Sequence, residues 1–144
     1  MPSGARQCGN GVATKSPSMW KYHQSTGDVT FNGEFVASGY SGKGKGLNNP
    51  AMQGVAKTGP LPVGRWKMVE VRDSQNTGPF SIVLHAQDAT PGNDTHDPTG
   101  RGAFRIHGDN SLGNRSASMG CIILPLKVRK RMWNSGDRDL EVVP

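Results

Sequence analysis

Cysteine is scarce in this chain of 144 residues: Cys8 and Cys121 are the two, near opposite ends. Their separation excludes a C-x-x-C redox pair and a cysteine-rich zinc site, and two thiols are too few for a disulfide scaffold. No apolar run approaches the ~18 residues that span a bilayer, so no membrane insertion is expected. The stretch Met1 to Gln24 lacks the ~7–15-residue apolar core of a secretory signal, so synthesis in the cytoplasm without a general signal peptide is expected. The glycine-rich SGKGKGLNNP does not follow the G-x-x-x-x-G-K-[ST] order of a phosphate loop, and no internal repeat is present. The basic residues cluster only at Lys127, Arg129, Lys130 and Arg131, which reads as a solvated helix face. No RNA-binding aromatic motif or zinc-finger spacing accompanies that run, so no specific nucleic-acid partner is expected.

What the chain has is glycine, 20 residues, and proline, 10, without a collagen period. Many turns between short strands account for that excess. Seventeen basic residues against eleven acidic leave a net charge of +6, which favours an anionic partner such as nucleic acid, a membrane surface or an acidic polymer. Length and apolar content suit one domain. Residues 1–18 are small and polar with no apolar period and read as a flexible leader, leaving 19–144 as the domain.

From Met19 the pattern becomes strand-like. MWKYHQ and VTFNG, joined by Ser-Thr-Gly-Asp, form a hairpin in which Trp20 and Tyr22 alternate with Lys21 and His23. EFVASGY, RWKMVEVRD, GPFSIVLHAQD, AFRIHGD, CIILP and LEVVP continue the series, and LKVRKRMWNSG behind Pro125 predicts one short helix ending at Gly136. DATPGNDTHDPTGRG has turn formers at nearly every position and reads as a long surface loop. Roughly seven strands and one helix after CIILP predict a mostly-β sandwich or barrel.

The chemistry concentrates in FRIHGDNSLGNRSASMGCIILP. Alternation along Phe104–His107 puts Arg105 and His107 on one face, and Cys121 opens the next apolar run. Glycines 108, 113 and 120 give the connection enough slack to lay the two strands side by side, where an imidazole can reach a thiol. A thiol is only a few per cent thiolate at neutral pH, and a hydrogen-bonded histidine raises that fraction and later returns the proton. Gly120 lets a substrate carbonyl approach the backbone N–H groups beside the nucleophile. Asp109 is a candidate to orient His107, although a backbone carbonyl could do the same work. Arg101 and Arg115 are candidates to grip a substrate carboxylate. Asp88, Asp94, His96 and Asp97 carry metal-ligating atoms but follow no known loop code, so no metal site is expected.

The order strand–His-Gly, loop, Ser-x-Gly-Cys resembles the catalytic motif of the L,D-transpeptidase (YkuD-like) family, with His107, Ser118, Gly120 and Cys121 on it. Gly59-Pro60-Leu61-Pro62-Val63-Gly64-Arg65-Trp66 resembles that family's Pro-x-Gly turn into a strand. The wider pattern of Trp20, Tyr22, Gln24, Thr26-Gly27, Tyr40-Ser41-Gly42, Asn48-Asn49-Pro50, Gly100-Arg101 and Phe104–Asp109 resembles the branch used as antibacterial effectors of type VI secretion. Two positions depart from the motif: Met119 stands where a histidine is usual and Ile123 where an Arg or Asn is usual.

The resemblance implies a YkuD-like fold and a cysteine L,D-transpeptidase or L,D-carboxypeptidase acting on peptidoglycan stem peptides. Cys121 would be the nucleophile and His107 the base, with Gly120 and Asp109 supporting them and Arg101, Arg115, Ser118 and Met119 on the substrate side. It implies no metal or organic cofactor, action in the periplasm of target bacteria, a cognate immunity protein in the producer and a secretion-apparatus component as a further partner. Two readings from other classes stay open at this point: a non-catalytic wall-binding or phage-structural module of the same fold, and a basic nucleic-acid binder.

Overall fold

Alternation does most of the work at the start of the domain. In Trp20–His23, strand β1, the indole of Trp20 and the ring of Tyr22 are fully buried while Lys21 and His23 keep partial exposure. A buried side chain of this size contributes about 1.5–3 kcal/mol relative to exposure, which fixes which face of the strand turns inward. The computed structural model describes residues 19–74, 78–87, 95–110 and 117–144. After β1 come β2 (Asp28–Phe31), β3 (Glu34–Ser38), β4 (Tyr40–Ser41), β5 (Gly64–Ser74), β6 (Gly78–Ala86), β7 (Arg105–His107) and β8 (Ile122–Ile123), then helix α1 (Leu126–Asn134) and β9 (Asp139–Val143). Short 3-10 turns at Gly44–Gly46 and Pro50–Met52 interrupt the glycine-rich stretch.

The first hairpin pairs Trp20 with Phe31, whose rings lie 4.3 Å apart. The next is closed by Asn32 and Gly33, both at positive φ (53° and 84°), as a two-residue turn between right-twisted strands requires. The nine described strands form one sheet in the order β3-β2-β1-β9-β5-β6-β7-β8-β4. Strands β3 and β4 stand at opposite ends of that order, yet Gly39 alone separates them in the chain. The two edges therefore meet at this residue, and the sheet curls into a nearly closed barrel. Gly39 has no room for a side chain, since a Cβ there would fall 1.9 Å from the Ile123 carbonyl oxygen. The roughly seven strands expected become nine, in part because Gly39 divides EFVASGY between two edges.

Inside lie Trp66, Met68, Ile82, Leu84, Ile106, Ile122, Leu124 and Leu140, all essentially without solvent contact. Helix α1 closes the core with Met132. Pro125 stands just before the helix as its N-cap, with extended backbone. No helix among the described residues is long and apolar enough to cross a membrane.

The basic run corrects the expectation of a wholly solvated face. Arg129 is buried, donating from Nη1 to the Leu124 carbonyl (2.6 Å), from Nε to Phe80 O (3.1 Å) and from Nη2 to Pro79 O (3.1 Å). Strand β6 begins irregularly, with positive φ at Gly78 (83°) and Phe80 (52°), and the guanidinium takes up carbonyls there. Buried, it must be hydrogen-bonded, and three backbone oxygens meet that need.

Candidate active site

Strands β7 and β8 run parallel, pairing Ile106 with Ile122 and His107 with Ile123. Parallel neighbours need a crossover of about a dozen residues, which the segment between His107 and Cys121 supplies. Both isoleucines of the first pair are fully buried, so the adjacent pair, and Arg105 with Cys121 one step back, face the opposite side. The Arg105 N–H donates to Cys121 Sγ at 3.3 Å. Cys121 thus sits level with Arg105, and His107 is its diagonal neighbour rather than its direct partner. Both line one cleft of about 500 Å³, together with Lys57, Phe104, Ala117 and Met119.

His107 Nδ1 lies 2.8 Å from the Gly108 carbonyl oxygen. A carbonyl can only accept, so Nδ1 carries the proton and Nε2 keeps its lone pair. Burial pushes the imidazole below its ordinary pKa of 6.5, and the Arg129 and Arg105 guanidiniums push the same way, while the Gly108 carbonyl and the Asp109 carboxylate oppose them. Burial likewise pushes the Cys121 thiol up, opposed by the Arg105 N–H and by the Arg105 and Arg101 guanidiniums. Both groups are therefore held neutral at neutral pH: a free, partly exposed thiol beside an unprotonated base.

The turn that carries Cys121 is built from buried polar groups. Ser118 is fully buried; its hydroxyl accepts from the Gly42 N–H (2.9 Å) and the Gly120 N–H (3.1 Å) and donates to the Cys121 carbonyl. Ser41 is equally buried, accepting from the Leu61 N–H and donating to the Gly120 carbonyl, both at 2.8 Å. Gly120 has φ +131°, and a Cβ on it would stand 2.4 Å from Arg101 Nη2 and 2.7 Å from Phe104 Cε1.

Several expected roles change with this geometry. Arg101, a candidate grip for a substrate carboxylate, spends its guanidinium on the protein: Nη1 donates to Gln53 O (2.6 Å) and Pro60 O (2.9 Å), and Nη2 to Gly59 O and Met119 O (both 3.1 Å). It also lies over the Phe104 ring, 5.0 Å from its centroid. Ser118, read as a substrate-side residue, is buried and spends its hydroxyl within the turn that carries Cys121. The Gly120 N–H is engaged by the Ser118 hydroxyl. Asp109 is not the hydrogen-bonded orienter of His107: its Oδ1 accepts from the Tyr40 hydroxyl (2.6 Å) and the Asn110 N–H (2.9 Å), and Gly108 takes the orienting role. Met119 is half exposed at the rim of the cleft.

His96 is buried and stacked on Trp66, with Nδ1 2.8 Å from Thr99 Oγ1. Among the described residues no three His, Cys, Asp or Glu side chains gather as a metal site would require. Arg115, Cys8, Asp88, Asp94 and the 1–18 leader lie outside the described residues.

In the sequence Ser41 stands out only as part of Tyr40-Ser41-Gly42, Gly108 only as slack in the connection and in the His-Gly pair, Arg129 only within the basic run, and Lys57 not at all.

The model of the Tlde1 domain matches residues 36–142, well over half of the chain. The chain belongs to the Tlde1 domain family. It is thereby placed in the type VI effector branch of the L,D-transpeptidase-like (YkuD) domains. No curated protein matches significantly. Among solved structures, this Tlde1 domain superposes on the Ldtfm–avibactam carbamoyl enzyme with a TM-score of 0.50 at 12% identity, covering 96% of this chain and 57% of that one. Matches of lower TM-score include L,D-transpeptidase 1 of Mycobacterium tuberculosis (0.44, 17% identity, 92% of this chain and 64% of that one). An L,D-transpeptidase from Mycobacterium smegmatis also matches (0.48, 17% identity, 92% and 61%). The chain spans about three fifths of the length of these structures.

Proposed function

We propose that this Tlde1 domain is a cysteine L,D-transpeptidase or L,D-carboxypeptidase that acts on the stem tetrapeptides of peptidoglycan. One observation carries the reading: Cys121 and His107 line the same cleft, and the Gly108 carbonyl holds the imidazole in the tautomer that offers Nε2 as base. Membership of a transpeptidase-like effector family supports it.

The thiol proton passes to His107 Nε2 as Sγ attacks the carbonyl of the third, meso-diaminopimelate residue, forming the S–C bond. Collapse of the tetrahedral adduct breaks the C–N bond, and Nε2 returns the proton to the leaving amine of D-alanine. A thioester remains on Cys121. Water attacking it gives a trimmed tripeptide, whereas an acceptor amine gives exchange or a cross-link; in either case the proton of the attacking group goes to the thiolate through His107. The domain acts in the periplasm of target bacteria after synthesis in the cytoplasm. An immunity protein guards the producer, a secretion-apparatus component carries the effector, and the +6 charge suits an anionic wall polymer.

The test is incubation of the purified protein with tetrapeptide muropeptides, followed by mass spectrometry. Loss of D-alanine with a transient acyl adduct on Cys121 is expected. Binding to sacculi with no change in any muropeptide would replace this reading by the wall-binding module.

A further inference from the structure

Among the described residues that line the cleft, one permanent cation is unengaged. The described lining holds two residues of permanent positive charge, Lys57 and Arg101, and all four hydrogen bonds of the Arg101 guanidinium go to backbone carbonyls. Lys57 is exposed, and among the described residues its ammonium forms no ion pair or hydrogen bond, which makes it the spare charge of the described lining.

Its backbone is unusual. Lys57 has φ +64°, a left-handed conformation that a long L side chain adopts at a cost and that glycine would take freely. Strain of this kind persists where the surroundings hold it, and here they do. Thr58 and Gly59 directly after it are packed against backbone: Cβ atoms on Gly46 and Gly42 would stand 2.1 Å and 2.8 Å from Thr58 O, and one on Gly59 1.8 Å from Met52 O. Arg101 then ties both flanks of the segment, through Gln53 O, Gly59 O and Pro60 O, to the Met119 carbonyl beside the nucleophile. One guanidinium thus connects the loop that carries Lys57 to the turn that carries Cys121.

We propose that Lys57 is a specificity residue that binds the free carboxylate of the residue leaving from the donor peptide. The inference rests on the reading of the domain as a stem-peptide enzyme. A terminal residue released by thiol attack carries its carboxylate two bonds from the scissile nitrogen, so a cleft that holds the thiol also holds that charge. A lysine ammonium is a point charge with three donors on a flexible stem, suited to a carboxylate that arrives and departs with each turnover.

The test compares three tetrapeptide substrates: the free acid, the same peptide with a C-terminal amide, and one amidated at the side-chain carboxyl of diaminopimelate. Each is assayed with wild type, Lys57→Met and Lys57→Arg. The free acid is expected to be preferred over the C-terminal amide by wild type. Lys57→Met should lose roughly tenfold in kcat/KM on the free acid, mainly through KM, and about nothing on the C-terminal amide, while Lys57→Arg keeps most of the preference.

An acid preference that survives in Lys57→Met overturns the proposal, as does a preference that Lys57 sets at the diaminopimelate carboxyl instead. Calorimetric binding of the same peptides to Cys121→Ala, with and without Lys57→Met, reads the selectivity apart from turnover. Wild type that releases nothing sinks the enzymatic reading, whereas equal affinities of acid and amide sink the role of Lys57.

Discussion

Arg101 Nη2 occupies the space that a side chain on Gly120 would need: a Cβ there would stand 2.4 Å from it. The residue before Cys121 is therefore glycine for two reasons that act together, a φ of +131° and a guanidinium packed against its Cα. The same guanidinium accounts for the tightness of the turn, since it also holds the Met119 carbonyl.

Gly120→Ala is expected to destabilise the domain by about 2 kcal/mol or more, since strain at a left-handed position adds to a steric conflict with a buried group. Arg101→Lys should destabilise to a similar degree, because three donors on one nitrogen cannot replace a planar fork that serves four carbonyls. Urea unfolding monitored by tryptophan fluorescence measures both, and unchanged midpoints would remove Arg101 as the organiser of this turn.

Replacing the reacting groups should leave the fold and remove the chemistry. Cys121→Ala and His107→Ala are each expected to abolish D-alanine release, and the double variant should be little worse than either, as for residues that act in one step. Independent, additive losses measured by mass spectrometry would separate the two residues.

The acid limb of kcat/KM is expected below pH 6.5. Burial first, then the Arg129 and Arg105 charges, lowers the proton affinity of His107, so the base stays available until the pH falls past its depressed pKa. The unfolded chain binds that proton more readily than the fold does, so stability contributed by neutral His107 is present above 6.5 and is lost as pH falls through the folded value. Arg105→Gln should move the acid limb towards higher pH and raise the pKa of Cys121 in iodoacetamide titrations, because both groups feel that charge. A limb unmoved by this change would mean that a different group titrates.

Lys57→Gly is expected to raise stability by about 0.5–1 kcal/mol, the relief of a left-handed backbone exceeding the entropy that glycine adds to the unfolded chain. Thermal unfolding would register this as a higher Tm, and a lower Tm would mean that the Lys57 stem packs in a way its exposure does not reveal.

Much of the barrel was legible because strand alternation is local: Trp20 and Tyr22, or Phe104 and Ile106, declare an inner face without help from distant residues. The histidine and cysteine were legible for a related reason, since each adjoins a short apolar strand. What the sequence could not convey was orientation. Nothing in the 108–120 segment states that β7 and β8 run parallel or that Cys121 aligns with Arg105. Buried polar roles were the least visible, because Arg101, Arg129 and Ser118 each take a partner from far away in the chain, the Gln53 and Phe80 carbonyls and the Gly42 N–H respectively. An arginine looks the same in sequence whether its partner is Leu124 O, Gln53 O or water. The choice between Asp109 and a backbone carbonyl as the group holding His107 stayed open on the same grounds, since the Tyr40 partner of Asp109 lies 69 positions away.

Strand β9 lies between β1, its parallel neighbour, and β5, its antiparallel one, fourth in the sheet though last in the chain. The ribosome therefore releases one of the innermost staves of the barrel after all the others. Until Asp139–Val143 emerges, β1 with its hairpin and β5 with the strands β6 to β8 on its other side have no common neighbour, and the nascent chain cannot assemble its sheet in the order of synthesis. Closure then depends on a contact between residues more than a hundred positions apart, the sort of pairing that slows folding. Translation that stops short of β9 would yield two halves without a seam, and so a polypeptide with the reacting groups of an enzyme but no barrel to hold them together.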